Sequence, residues 1–363
     1  MILLTPGPVQ TAPQTRAAMA QDIAPWDNDF RAVYARIRER VLALAGGVPG
    51  EHACLPLQGA GHFIVEAAIR SLVPAGGAII VPMNGAYAER VLLLARGAGR
   101  VAHAWPVPDT RGVTAEDVFA AFAAHPEASH FATVYSETGA GIVNRPEIIG
   151  PVLRALGKRL ILDAVSAFGA LPFSMEDHPE CDALVFTSNK CIEGLPGIAF
   201  CVARVDALEE GRAGSWSLDL WEILNIALKS GWGSFRFTPP VQALAAFNVA
   251  LDLFEAEGGQ PARLARYREN MRILYEGALK LGLRPYVDQA EQGPIIVTLH
   301  QPPGFDLQGF VDALKARGVL ISNFYTTKTP SIRIGCIGAV SNAEMTQAVA
   351  IMGEVLASTA RAA

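Results

Sequence analysis

Short apolar runs alternate with segments of helical periodicity between residues 30 and 202. In the longer segments an apolar residue recurs about every three or four positions, which predicts a helix between one strand and the next. This alternation is typical of a mostly parallel sheet covered by helices on both faces, so we predict an α/β fold. The predicted strands are 78–81, 101–105, 130–135, 159–162, 182–186 and 198–202, and the predicted helices are 30–44, 63–72, 86–95, 114–124 and 148–156.

The C-terminal third has a different pattern. Strand-like runs at 293–299, 319–321 and 332–334 and helical patterns at 307–317 and 342–357 predict a smaller α+β unit, joined to the first by a helix at 240–256 and the charged stretch 263–272. A chain of 363 residues is also too long for one small core. We predict an irregular N-terminal arm (1–25), a large domain (26–260) and a small C-terminal domain (261–363).

The composition limits the possible partners and locations. With 51% hydrophobic and 18% charged residues the chain should be globular, and its net charge of −5 argues against nucleic acid as a partner. The sequence shows no secretory signal and no apolar run of membrane-spanning length. Five scattered cysteines fit reduced thiols, so we expect a cytoplasmic protein. The seven histidines show no metal-ligand spacing, and we predict no metal site.

Two reactive side chains follow predicted strands. Asp163 ends the run that begins at 159, and Lys190 follows the run 182–186. Parallel strands end at one edge of a sheet, so we expect these two side chains to lie close together. Alone, such an aspartate is commonly a turn residue and such a lysine a surface residue. Together they are the groups that an enzyme dependent on pyridoxal phosphate (PLP) needs, because the lysine forms the Schiff base and the acid keeps the pyridine nitrogen protonated.

Three further features agree with this hypothesis. Gly59-Ala60-Gly61 opens a predicted helix and is a candidate anion site, but Ile64 occupies the third glycine position of the dinucleotide fingerprint, which disfavours a dehydrogenase. Tyr87 begins another helix and could cover a flat ring, although a core aromatic is the commoner role. Arg333 lies between apolar residues of a strand, so it is either paired inside the fold or binds a substrate carboxylate, and we favour the second role.

Taken in order, the motifs resemble those of the class V, fold-type I aminotransferases, and among them the 2-aminoethylphosphonate–pyruvate transaminases. The resemblance covers nearly the whole chain and implies a mostly parallel, seven-stranded sheet with a smaller C-terminal α+β domain. Each motif alone is weak, whereas the ordered set is specific. The residues that carry the resemblance are 3–8, 26–27, 57–61, 84–87, 136–138, 162–164, 188–192, 194–197, 217–220, 236–238 and 333–335.

The resemblance also implies a role for individual residues. Lys190 would hold PLP covalently and move a proton between substrate and cofactor, and Asp163 would pair with the pyridine nitrogen. Other positions would bind the cofactor or the substrate without a chemical role. The implied cofactor-binding residues are Gly59, Ala60, Gly61, Tyr87, Thr138, Val165 and, from the partner subunit of a homodimer, Thr238; the implied substrate-binding residues are Thr5, Pro6, Gly7 and Arg333.

The implied reaction is transfer of the amino group of 2-aminoethylphosphonate to pyruvate, which gives phosphonoacetaldehyde and L-alanine. The alternatives are an alanine– or serine–glyoxylate aminotransferase, a transaminase for another small amine, and a non-catalytic PLP carrier or interaction protein with a degenerate site. The chain departs from the family pattern in two regions. Ala60 and His62 stand where related enzymes usually have hydroxyl residues, and Gly214 stands where they tend to have an arginine, for which Arg212 is the nearest candidate replacement.

Overall fold

The computed structural model describes residues 1–360, and its centre is a seven-stranded sheet. The strands lie in the order β2-β10-β9-β8-β5-β3-β4, and β10 is antiparallel to both of its neighbours, whereas the other pairings are parallel. This confirms the expected α/β class. The strands are β2 (His52–Gln58), β3 (Ala78–Met83), β4 (Val101–Pro106), β5 (His130–Val134), β8 (Arg159–Asp163), β9 (Cys181–Thr187) and β10 (Ile198–Arg204).

Six of these strands agree with the predictions, and β2 was not predicted. Its sequence contains Pro56, which cannot donate to a sheet ladder and is tolerated where a strand has only one neighbour. In the structure β2 is indeed an edge strand, paired only with β10. The proline that obscures the strand pattern is therefore explained by the strand's place in the sheet.

Helices cover both faces of this sheet, because each face buries its own set of apolar side chains. One set includes Ile37, Phe122 and Phe247, and the other includes Ile64, Val91 and Leu224. The helices of this part are α1 (Pro13–Ala17), α2 (Asn28–Leu44), α3 (Gly61–Leu72), α4 (Ala86–Gly97), α5 (Ala115–Ala124), α6 (Pro146–Ala155), α7 (Leu220–Ser230) and α8 (Val241–Glu257).

A second hydrophobic core lies in the C-terminal part and includes Leu274, Leu314, Ile332 and Val355. The N-terminus contributes to it, since β1 (Ile2–Leu3) pairs in parallel with the strand that begins at Val319. The expectation of a wholly irregular arm is wrong at this point, because a two-residue strand is too short to show a pattern. The elements are α9 (Gly259–Lys280), β11 (Ile296–His300), α10 (Leu307–Ala316), β12 (Val319–Leu320), β13 (Ser331–Gly335) and α11 (Asn342–Ala360).

The two parts are joined by α8 and by the 22-residue helix α9, which includes the predicted charged stretch. The domain limits at residues 25 and 260 stay predictions. The remaining elements are a two-stranded ribbon of β6 (Ser136–Glu137) and β7 (Ile142–Val143) and two 3₁₀ turns at Ala18–Ala20 and Val205–Ala207. None of the described helices combines the length and the apolar composition that crossing a bilayer would require.

Candidate active site

A cavity of about 500 Å³ lies at the carboxyl edge of the central sheet. Asp163 is the last residue of β8, and Lys190 follows the end of β9 by three positions. The two strands are parallel neighbours, so both side chains reach the same cavity, as the sequence predicted. Eight of the expected site residues line it, namely Gly7, Gly59, Ala60, Gly61, Tyr87, Asp163, Val165 and Lys190.

Lys190 is held against the N-terminal segment. Its Nζ donates a hydrogen bond to the carbonyl oxygen of Pro6 at 2.8 Å. Gly7 has a φ of +143°, and a Cβ built on it would collide with the Lys190 side chain. Burial lowers the pKa of Lys190, and the nearby Arg333 lowers it further. A lysine that loses its proton more easily than usual is suited to nucleophilic attack on a carbonyl carbon.

Asp163 is a buried carboxylate without a cationic partner at hydrogen-bonding distance. One of its oxygens accepts a hydrogen bond from the backbone N–H of Val165 at 2.9 Å. None of the arginine, lysine and histidine side chains in the described residues forms an ion pair with it within 4 Å. Burial therefore raises the pKa of Asp163 to about 6, although the Val165 hydrogen bond and the charge of Lys190 oppose the shift. A protonated ring nitrogen placed in the cavity would remove this cost of burying the charge.

The loop of residues 59–61 forms another part of the wall. Helix α3 begins at Gly61, and its N-cap residue Ala60 offers no side-chain oxygen to the amides of the first turn. The N–H of Phe63 donates to the carbonyl oxygen of Ala60 at 3.0 Å, whereas the amides of Gly61 and His62, together with the helix dipole, are available to bind an anion. A Cβ at Gly61 would lie 3.0 Å from the side chain of Val165, so the loop approaches this residue closely.

Tyr87 links the cavity wall to two expected residues that do not line it. Its hydroxyl interacts with Thr138 and with the guanidinium of Arg333. Burial alone would raise the pKa of Tyr87, but the charges of Lys190 and Arg333 and the Thr138 hydrogen bond lower it. Thr138 and Arg333 thus belong to the electrostatic surroundings of the cavity.

Arg333 is buried, with 2% of its surface exposed. Its Nη1 donates to the carbonyl oxygen of Thr138 at 3.3 Å and to Thr326 Oγ1 at 3.4 Å, and Phe324 stacks 4.6 Å from the guanidinium. Nε has no hydrogen-bond partner, and no described carboxylate forms an ion pair with this arginine. A buried guanidinium without a carboxylate partner is suited to binding an anionic ligand.

Three other expected residues lie outside the cavity wall. Thr5 directs its hydroxyl to the carbonyl oxygen of Pro8 at 2.7 Å, and Pro6 contributes its carbonyl to Lys190. Thr238 lines a neighbouring pocket that shares only Gly59 with the cavity.

Arg212 does not reach the cavity either. It donates to the carbonyl oxygen of Leu72 at 2.9 Å and pairs with Glu209. Arg212 therefore does not replace, within this chain's own cavity, the arginine that related enzymes tend to have at the position of Gly214.

Two functional candidates escaped the sequence analysis. Glu137 is fully buried and accepts hydrogen bonds from the backbone N–H groups of Tyr87, Ala88 and Gly139, and burial raises its pKa to about 7. It thereby fixes the beginning of the helix that carries Tyr87. The signal was present as an acidic residue three positions after the end of β5, but its partner helix lies 50 residues earlier.

Arg90 is the second overlooked candidate and lines the cavity from α4. Its guanidinium lies 4.7 Å from the ring of Tyr87, and its Nη1 is 3.3 Å from His62 Nε2. It therefore adds positive charge beside the candidate anion-binding loop of residues 59–61. Its spacing of three residues from Tyr87, which places both on one face of the helix, was the available signal.

Known proteins resemble this chain over its full length. Residues 14–333 match the family described as Aminotransferase class-V. The 2-aminoethylphosphonate–pyruvate transaminase of Burkholderia ambifaria is 44% identical over 361 residues, which cover 98% of this chain and 96% of that protein. The transaminase of the same description from Pseudomonas entomophila is 42% identical over 359 residues, with the same coverage of both chains.

Solved structures agree on the fold. Pyridoxamine–pyruvate aminotransferase from Mesorhizobium loti superposes with a TM-score of 0.89 at 23% identity, over 99% of this chain and 92% of that one. Alanine–glyoxylate aminotransferase from Nostoc sp. gives a TM-score of 0.88 at 22% identity, over 98% and 95% of the two chains. The expected family is confirmed by the full-length relatives, and the fold by these neighbours. This chain is an aminotransferase and belongs to class V.

Proposed function

We propose that this aminotransferase uses PLP to transfer the amino group of 2-aminoethylphosphonate to pyruvate, which gives phosphonoacetaldehyde and L-alanine. The observation that carries the proposal is the convergence of Lys190 and Asp163 on one cavity that also contains the first turn of α3. The full-length relatives described as 2-aminoethylphosphonate–pyruvate transaminases support the choice of substrates.

The residues of the cavity fit PLP. Asp163 is a buried carboxylate with one backbone donor, and a pyridine N–H would be its missing partner. The amides of Gly61 and His62 at the start of α3, together with Arg90, suit a phosphate group. Tyr87 and Val165 both line the cavity and would enclose the ring between them. The contact of Thr138 with the ring hydroxyl stays a prediction, supported by its position beside Tyr87.

When bound, PLP supplies an electron sink that stabilises negative charge at the carbon carrying the amino group. Lys190 would remove and return the proton at that carbon, and its lowered pKa favours the neutral, proton-accepting form. Asp163 would stay ionised beside the pyridine nitrogen and keep a proton there. Arg333 would bind the carboxylate of pyruvate, for which its guanidinium has no competing acidic side chain among the described residues.

We also propose that two subunits share each site. Thr238 is separated from the cavity of its own chain, and large aromatic side chains around it are exposed, with Phe63 at 51%, Trp216 at 74% and Phe237 at 39%. An exposed apolar surface of this kind is typical of an interface. A second copy would cover it and bring Thr238 near the partner's anion-binding loop.

A half-reaction tests the proposed substrates. The PLP-loaded protein is mixed with 2-aminoethylphosphonate without any keto acid, and the absorbance of the bound cofactor is followed. We expect conversion to the pyridoxamine form, and recovery of the starting spectrum when pyruvate is added. L-Serine and L-alanine with glyoxylate serve as comparison substrates. Conversion by L-serine and not by the phosphonate would replace the proposed donor, and a protein that binds no PLP would refute the cofactor.

A further inference from the structure

A second cluster of potential ligands lies on the edge of the sheet and contributes nothing to the cavity. His103 is on β4, which has a neighbour on one side only. His125 follows the last residue of α5, and Glu127 lies in the turn that leads to β5. Among the described residues this is the one group of three histidine, cysteine or acidic side chains whose ligand atoms converge closely enough for a metal ion.

The distances within the cluster suit a metal ion. His103 Nε2 lies 2.7 Å and His125 Nδ1 lies 3.8 Å from the same oxygen, Glu127 Oε1. All three ligand atoms lie within 4.8 Å of one another. Zinc bonds to nitrogen and oxygen are about 2.0–2.2 Å long, so the ligands of a tetrahedral site are about 3.3 Å apart. Side-chain rotations that turn the two stacked rings toward a common centre would bring the three atoms to that spacing.

An independent observation concerns the ring nitrogen of His103. Nε2 is shielded from solvent, and its one close polar contact, with Glu127 Oε1 at 2.7 Å, does not have the angles of a hydrogen bond. A buried polar atom whose hydrogen bonding is incomplete is costly. The two imidazole rings are also stacked, with centroids 3.8 Å apart and planes at 16°. A cation bound between the histidines and Glu127 would accept the lone pair of Nε2 and would also neutralise the charge of Glu127.

The backbone holds the three residues in place. His103 pairs with Ile80 in the regular ladder between β3 and β4. The N–H of His125 donates to Ala121 at 3.0 Å, and its carbonyl accepts from Ala128 at 3.1 Å, which closes the turn that contains Glu127. Binding would thus require only side-chain adjustment, which limits its entropic cost.

We propose that His103, His125 and Glu127 bind a divalent transition-metal ion of the zinc type, with water as the fourth ligand. Two imidazoles and one carboxylate are a known ligand set for zinc. The side chains are 22%, 31% and 55% exposed, so an ion and its water can enter. The ion would tie the edge strand β4 to the turn before β5 and thereby stabilise the sheet edge, a role separate from transamination.

The test is a zinc titration of the PLP-loaded enzyme after treatment with a chelator, using a coloured competitor to measure free zinc. We expect the native protein to hold one equivalent that is weakened at least tenfold in each of His103→Asn, His125→Asn and Glu127→Gln. His300→Asn, which changes a histidine outside the cluster, should bind zinc like the native protein. Zinc should also raise the melting temperature of the native protein and of His300→Asn more than that of the three cluster variants.

Transaminase activity without added metal confirms that each variant is folded, because none of the three residues lines the active cavity. Equal zinc stoichiometry and affinity in the native protein and all three cluster variants would overturn the proposal. So would a native protein that binds no zinc at micromolar free concentrations.

Discussion

Lys190 Nζ donates a hydrogen bond to the carbonyl oxygen of Pro6, which is 184 positions earlier in the chain. The segment that carries Pro6 is anchored by the pairing of β1 with β12, so the C-terminal core determines where it lies. The wall around the lysine therefore combines the large sheet with an N-terminal segment fixed by the smaller core. The candidate active site is assembled from both parts of the chain.

Gly7→Ala tests whether the contact between the N-terminal segment and Lys190 positions the lysine. The left-handed φ of +143° strains any other residue, and a Cβ would collide with the lysine side chain. We expect kcat/KM to fall at least tenfold, equivalent to about 1.4 kcal/mol, because the amine is displaced. Gly157→Ala is a matched control, since that glycine also has a positive φ, +64°, but its Cβ would meet no atom within 4 Å. Equal turnover in both variants would show that the N-terminal segment does not position Lys190.

Lys190→Ala tests the assigned chemistry. Turnover should fall by about 10²–10⁴-fold or more, because the proton-transfer group and the covalent attachment point are both lost. PLP should still bind, although more weakly, through Asp163 and the amides at the start of α3. The measurements are steady-state turnover and cofactor binding by equilibrium dialysis. Lys280→Ala, at an exposed helix end, should behave like the native enzyme. Multiple turnovers at the native rate in Lys190→Ala would remove this lysine from the mechanism.

Arg333→Ala separates the two half-reactions. Loss of a charged hydrogen bond should weaken pyruvate use by about 1.5–3 kcal/mol, which is roughly 10- to 100-fold. The reaction with the amine should change less, because the proposed partner of this arginine is the carboxylate. Arg333→Lys keeps the charge but loses the planar guanidinium, so its use of pyruvate should lie between that of the native enzyme and that of Arg333→Ala. The concentration dependence of the pyruvate half-reaction is the measurement, and an unchanged dependence would exclude Arg333 from the substrate site.

The sequence predicted the proposed catalytic residues best where those residues follow the end of a strand. Asp163 and Lys190 follow apolar runs, and parallel topology alone brings such residues together. The sequence could not show that Arg333 contacts the cavity through Tyr87. The alternation of apolar residues along a strand does not reveal how far a side chain lies from a cavity wall.

The proposed metal site escaped for a related reason. His103 and His125 are 22 positions apart on a strand and a helix end, and only the packing of α5 against the sheet edge brings them together. Helix α7 (Leu220–Ser230) was also missed, although its capping residue Asp219 lies within a motif that was read for its resemblance alone.

The pH dependence of stability offers a test of Asp163 that needs no cofactor. Burial raises the pKa of this carboxyl to about 6, whereas an aspartate in an unfolded chain has a pKa of about 3.9. The folded protein therefore binds this proton more tightly than the unfolded chain. Stability must fall as the pH rises from about 4 to about 6, and the full cost of about 3 kcal/mol persists above that range.

Asp163→Asn cannot ionise and should lack this loss. Roughly half of the cost develops between pH 5 and pH 8, so the cofactor-free variant should gain about 1.5 kcal/mol relative to the native protein over that interval. Urea unfolding at the two pH values measures the difference. Glu137, whose pKa is also raised, is present in both proteins, and its own contribution largely cancels in the comparison. The exposed Asp22→Asn should leave the pH dependence unchanged.

A second measurement adds the cofactor. Because a pyridine N–H would stabilise the ionised carboxylate, saturating PLP should reduce the native protein's loss of stability at high pH and should affect the stability profile of Asp163→Asn less. If stability changed with pH in the same way in the native protein and in Asp163→Asn without PLP, the buried Asp163 would not have the raised pKa on which the proposed cofactor site depends.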